Sequence, residues 1–433
     1  MNTEIQLPNI DLLAAIAPAQ YSAGANALAY EKLEPTVEKQ LPYLQQRWEK
    51  FLNNKSQIEE EVLAMHLAFQ YLLQTAVKAN TAETPELKSM WSERYTKASV
   101  ELYGEPDEQI ATSLFAKHIH ELSTLQERSK INSEPIESYF VATPRLGELQ
   151  ETSFDFTANT ESIGKIVTDE YKEAFELFSM PDDELIDPEK AAELFSNSLE
   201  ILAQKNPIWA EWNIELVDDN KLTVYTASKT IKVGQHRSIS SAKQIRGLFA
   251  HELLVHAHRA VNGSQYPEES RMRKGLPGYL ETEEGLGVYL EYAVTGDVPV
   301  KIVDRYVDTA LALGQIGGKQ YSRPELFKYT YLRHVLRTEA SDRDGQIDYQ
   351  ALRDETWAYV NRIYRGTPGN DSIGVYTKDI VYYQGFLKIG RFINEQVADG
   401  KTPKKVLDYL LQGKFDPTNP KHTSVVEKYA TKL

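Results

Sequence analysis

The segment Arg246–Gly263 reads RGLFAHELLVHAHRAVNG and carries His251, Glu252 and His256 in the order HExxxH. Imidazole and carboxylate groups at short helical intervals can hold a divalent cation and move protons. On a helical wheel Ile245, Leu248, Phe249, Leu253 and Ala260 form one apolar stripe. Glu252 and His256 fall inside it, while His251 lies off it, level with Val255. Ionisable groups on an inward face are costly unless paired, protonated or metal-bound. A core histidine satisfied by its neighbouring glutamate is the plain alternative to a ligand pair.

Spacing sharpens the choice. The familiar helical zinc pattern, HExxH, sets two histidines one turn apart with the glutamate as general base. Here there is one residue more. In a regular α-helix, positions five apart diverge by about 140° and do not readily share a metal. A π-bulge closes its turn with an i→i+5 bond and brings both rings to one side. The sequence therefore predicts a helix widened between His251 and His256. His258 is a poor substitute, because seven residues correspond to about 10 Å of rise.

A catalytic zinc takes three protein ligands and leaves a fourth position for water. The run Gly278–Tyr292, GYLETEEGLGVYLEY, is helical in character and offers Glu281, Glu283, Glu284 and Glu291. Leu286, Leu290, Ala293 and Val294 suggest a buried side nearer Glu283, yet Leu280, Val288 and Tyr292 make the helix apolar almost all round. A charge run on a solvated face is the competing reading.

The elements that must position these groups follow from periodicity. Val37–Phe51, Ile58–Val77 and Pro85–Leu102 show helical spacing, as does a stretch ending near Glu127. Residues 131–165 are rich in Pro, Gly, Ser, Thr and Asn and read as a connecting segment. A helix over Asp187–Ala203 is announced by Asp187 as cap and Pro188 in its first turn. Trp212–Val217 and Leu222–Tyr225 read as strands joined by hairpin chemistry at Asp218–Lys221, with Thr230–Val233 extending the sheet. From Ala242 the pattern is helical nearly to the end. We expect a mostly helical α+β fold with one small sheet. Its divisions are a helical region at 1–130, a connection at 131–165 and a catalytic domain at 166–433.

Composition excludes several classes. The 433 residues carry 48 Lys+Arg against 63 Asp+Glu, a net charge of −15, and no cysteine. Disulfides, thiolate metal sites and a cysteine nucleophile are therefore ruled out. The acidic balance argues against nucleic acid and anionic membrane surfaces as partners. No apolar run approaches the ~18 residues of a membrane span. The opening MNTEIQLPNIDLLAAIAPAQ lacks the marks of a secretory signal, so a cytoplasmic location is expected. There is no GxSxG elbow and no phosphate-binding glycine loop, and the EF-hand-like Asp342–Asp348 has Ala340 and Ala351 where ligands belong.

HExxxH followed by EEGLG at Glu283–Gly287 resembles the QEGLA-motif family. That family includes flavohemoglobin expression-modulating bacterial proteins and eukaryotic microtubule-associated tyrosine carboxypeptidases. Glu101–Asp107 (ELYGEPD), Arg362–Gly366 (RIYRG) and Thr377–Gly385 (TKDIVYYQG) extend the likeness from about residue 60 to the C-terminus. The resemblance implies a zincin-like core and a zinc-dependent peptidase, which in eukaryotic members removes the C-terminal tyrosine of α-tubulin. It implies His251, His256 and Glu284 as zinc ligands and Glu252 as base. Glu283 stands for the motif's Gln and Gly287 for its Ala; neither replaces a ligand. Tubulin itself is not carried over, since a chain of −15 suits strongly acidic tails poorly.

The reaction so implied is removal of a C-terminal residue, tyrosine-type, from a peptide or protein. Tyr382 and Tyr383, in the matching segment, are candidates for a second oxyanion donor. Arg362 and Arg365, with Lys378 beyond, form the basic cluster nearest a motif and are candidates for the substrate's terminal carboxylate. The strands at 212–233 could pair with an extended peptide. Two other readings stand beside this one. The same core could act as an endopeptidase or on a non-peptide amide, or the metal site could survive in a non-catalytic regulatory protein. The sequence leaves the oligomeric state open.

Overall fold

The computed structural model describes residues 57–129, 157–237, 240–341, 347–367 and 374–430, with 131–132 and a few positions before residue 54. The helix expected over Val37–Phe51 and most of the connection at 131–165 lie outside these residues. In chain order, α1 is Gln57–Thr81, α2 Pro85–Tyr103, α3 Glu108–Arg128, α4 Thr160–Glu170, α5 Lys172–Glu176 and α6 Pro188–Lys205. Three strands follow: β1 Asn213–Val217, β2 Leu222–Tyr225 and β3 Thr230–Gly234. Next come α7, a continuous helix over 242–263, then α8 Leu280–Thr295, α9 Val300–Leu313, α10 Arg323–Ser341 and α11 Tyr349–Ile363. Last are α12 Val381–Ala398, α13 Pro403–Leu410 and α14 Pro420–Tyr429. The fold is α+β and mostly helical.

The contacts divide the chain into two units. One comprises Met1–Ser153 with Lys301–Ile380, the other Phe154–Val300 with Val381–Leu433. The contiguous segment 166–433 expected from the sequence is thus interrupted: residues 301–380 pack with the N-terminal helices. No break in composition marks that change of partner.

In the first unit Leu72, Leu73 and Ala76 of α1 pack on Tyr95 and Ala98 of α2 and on Tyr376. The ELYGEPD segment ends α2 and links it to α3. Gly104 takes φ 83° after the last turn of α2, and Asp107 caps α3 by accepting from the Ile110 amide. Arg333 of α10 forks onto Asp308 of α9, and Arg337 bridges Asp304 and Glu121. Arg333, Asp304 and Asp308 are buried, and each has its counter-ion.

In the second unit α8 is the central helix. Buried Leu286, Val288, Tyr289 and Leu290 line it, and α4, α7 and α12 pack on it from different sides. A Cβ on Gly164 of α4, or on Gly285 or Gly385, would collide with the backbone opposite, so these helices meet main chain to main chain. Asp187 and Pro188 start α6 as the sequence indicated, with the Asp187 carboxylate accepting from the Lys190 amide.

The sheet departs from the expected order. β3 lies between the other two strands, parallel to β1 and antiparallel to β2. The tight hairpin is therefore at residues 226–229, where Lys229 takes φ 53°, and 218–221 is a wider connection. Burial explains the order. Ile231 and Val233 of β3 are fully enclosed, whereas β1 and β2 are partly exposed and take the edges.

Candidate metal centre

Ser241 opens α7 with a capping box shared with Gln244. The helix runs regularly to Leu248, becomes π-helical over Phe249–Ala257, and returns to α over His258–Gly263. The widened stretch brackets HExxxH, as the five-residue spacing required. Phe249 wedges against Phe175 and Phe178, with ring centroids 5.1 and 5.0 Å apart. At the far end Arg259 fixes the exit by donating to the carbonyls of Gly413 and Phe415 and to Glu283. One expectation needs correcting: His251 is buried and not off the apolar stripe. The π-turn rotates successive side chains by less than an α-turn does, so the ideal wheel misplaces it.

The π-turn puts the His251 and His256 rings side by side, centroids 4.9 Å apart. Both Nε2 atoms face one oxygen of Glu284, at 3.6 Å from His251 and 3.4 Å from His256. One ligating atom from each of His251, His256 and Glu284 lies within 4.8 Å of the others. The opposite ring nitrogens are held from behind. His251 Nδ1 donates to Glu291 at 3.2 Å, and His256 Nδ1 donates to Glu283 at 3.0 Å. A carboxylate accepts only, so Nδ1 carries the proton in both rings, and loss of the Nε2 proton turns each Nε2 lone pair toward the point that Glu284 also faces. Two imidazoles and a carboxylate around one point match the donor set of a divalent cation of the zinc type.

Gly287 and Gly285 make room for this. A Cβ at Gly287 would stand 2.6 Å from His251 Nε2, so glycine lets the imidazole rest against the α8 backbone. Gly285, next to Glu284, lies against Gly385 of α12.

The charges respond to the crowding. Burial disfavours the His256 imidazolium, but Glu284 and Glu283 outweigh it and lift its pKa to about 9. Burial alone would raise Glu284, yet His256 and His251 hold it well below the usual carboxylate range. Three groups thus share protons that a cation would displace. Glu252 is half-buried beside them; burial raises its pKa despite both histidines. No hydrogen bond among the described residues engages its carboxylate.

The other expected site residues are placed as follows. Tyr382 and Tyr383 open the first turn of α12, less than one turn before Gly385. Burial pushes the Tyr383 phenol up to about 12. Arg362, Arg365 and Lys378 are assigned to the first unit, and the histidines to the second. Arg362 forks onto Asp379, and Arg365 lies 3.6 Å from the same carboxylate and 4.1 Å over the Tyr376 ring. Sequence reasoning offered Glu291 only as a possible third ligand, not as the partner of His251 Nδ1, and missed Arg259 and Lys414. Glu291 is two helical turns beyond Glu284, a spacing that could have flagged it. Lys414, which pairs with Glu283, is 131 residues away in sequence and gave no local sign.

A family model described as microtubule-associated tyrosine carboxypeptidase matches residues 149–307 and 347–427. It covers α7, α8 and α12, and so the whole cluster. Neither the curated proteins nor the solved structures contain a match to the chain.

Proposed function

The chain belongs to the microtubule-associated tyrosine carboxypeptidase family, and from that premise we propose that it is a zinc-dependent carboxypeptidase with a zincin-like core. On this reading it removes a C-terminal residue, tyrosine or a similar one, from a peptide or protein. One observation carries the metal half of the reading. His251, His256 and Glu284 converge while carboxylates steady both histidines from behind. A structural zinc site closes all four positions with protein ligands, whereas three leave one open for reaction.

His251, His256 and Glu284 would hold the ion, which when bound supplies Lewis acidity that acidifies water and polarises a carbonyl. Glu252 accepts the proton of the attacking water and delivers it to the departing amine. Its raised pKa suits a base that must release that proton again. Tyr382 and Tyr383 are proposed to donate a hydrogen bond to the developing oxyanion, supported by the contact of Gly385 with Gly285 beside Glu284. β2 is an edge strand and lies against the π-turn, a position from which it can pair with an extended substrate.

The test is a library of peptides differing at the C-terminal residue, incubated with zinc-loaded protein and read by mass spectrometry. Loss of one terminal residue, strongest for tyrosine, is expected. Glu252→Gln should retain zinc and lose about 10²–10⁴-fold in turnover. Internal cleavage would replace the carboxypeptidase with an endopeptidase, and intact peptides with bound zinc would point to a regulatory protein.

A further inference from the structure

A carboxypeptidase needs a cation that recognises the free α-carboxylate of its substrate, and Arg362 and Arg365 are already engaged by Asp379. Arg237 offers what they lack. It follows β3 in a stretch fixed by its backbone: Gly234 N–H donates to Lys221 O, Gln235 N–H to Val217 O, His236 N–H to Asp219 O and Arg237 N–H to Gly234 O. Gly234 sits directly on the Asp219 backbone, where a Cβ would collide. The side chain is thus launched from a preorganised turn.

Its guanidinium lies close enough to Glu252 and Glu291 to feel both charges. Among the described residues it nevertheless donates no side-chain hydrogen bond, and its buried Nε has no partner. Arg246, Arg259 and Arg273 of the same unit all donate to Asp182, Glu283 or main-chain carbonyls. A partly desolvated guanidinium with an unmet N–H is unfavourable unless an anion completes it. The same sheet packs through β2 on the π-turn that carries Glu252, the proposed base, so an anion held by Arg237 would lie on the reacting side of the centre.

We propose that Arg237 is the specificity-determining residue that receives the substrate's terminal carboxylate, through the planar fork suited to bidentate pairing. This assignment rests on the carboxypeptidase reading above. It explains how an acidic protein admits a negatively charged chain end to a carboxylate-rich centre. It also makes a free C-terminus, and not an internal bond, the preferred substrate.

The test compares a tyrosine-ended peptide as free acid and as C-terminal amide, using the full chain loaded with zinc. Wild type should prefer the acid, and Arg237→Gln should lose roughly 10- to 100-fold of that preference, mainly in KM. Arg237→Lys should recover part of it. Zinc content and melting temperature should match wild type. A simple influence on Glu252 would instead move kcat equally for both peptides, and an unchanged acid-to-amide ratio in Arg237→Gln overturns the assignment. Binding of the two peptides to Glu252→Gln protein, with and without Arg237→Gln, separates the two claims. Arg237-dependent preference for the acid without any hydrolysis by wild type removes the peptidase reading and keeps the anchor. Equal binding of acid and amide with Arg237 intact removes the anchor, whatever the turnover.

Discussion

Glu283 meets three partners at once: the Nδ1 proton of His256, the guanidinium of Arg259 and the ammonium of Lys414. Burial would raise its pKa, but Lys414 and Arg259 hold it far below the ordinary carboxylate range. The related motif carries glutamine at this position, and here two buried cations account for the charged residue. Glu283→Gln keeps an acceptor for His256 but leaves both cations without their counter-charge. Breaking a buried ion pair this way costs about 3–5 kcal/mol. Denaturant titration of E283Q should show a clearly lower midpoint, with an added Lys414→Met change restoring part of it. A single variant as stable as wild type would mean that Glu283 does not neutralise this cluster. Only part of this neighbourhood could be read in advance. HExxxH forced attention onto His251 and His256 by its spacing, whereas Arg259 and Lys414 acquire their meaning from contacts made after folding.

The π-turn was the most legible element, because two convergent histidines five positions apart leave a regular α-helix no solution. The third ligand was harder. α8 is enclosed by α4, α7 and α12, so it has no solvent face from which periodicity could choose between Glu283 and Glu284. The motif's glycines make sense at this scale. Gly285 and Gly385 let the backbones of α8 and α12 touch, which fixes the depth of Glu284 and the start of α12. Gly385→Ala would place a methyl group into the α8 main chain, an overpacking that costs about 1–3 kcal/mol. A lower unfolding midpoint together with weaker zinc binding is expected, since the displaced helix carries a ligand. Unchanged values for both would contradict the close approach. The sheet was misread because turn residues at 218–221 outranked burial. The strand with two enclosed apolar side chains, β3, took the centre.

Across the whole molecule, buried histidines set the response to acid. Unfolded histidine titrates near 6.5, while burial pushes His118 and His258 down to about 4 and His334 to about 3. Between these values the unfolded chain binds protons that the folded chain refuses. Stability therefore falls as pH drops from about 6.5 to 4, by about 1.4 kcal/mol per unit of depression for each such group. Metal-free protein should show this fall in melting temperature, and His118→Gln should flatten it; parallel curves would exclude His118 as a cause. The division into two units was not legible, because residues 301–380 are helical and apolar like their neighbours and only their contacts assign them to the N-terminal helices. The central claim concerns three side chains and one ion. It is tested most directly by calorimetric titration of zinc into metal-free full-length protein, wild type against His256→Ala. One zinc per chain in the wild type, with affinity at least about 100-fold weaker in the variant, is predicted. Equal binding by both proteins, or none by either, would contradict the account.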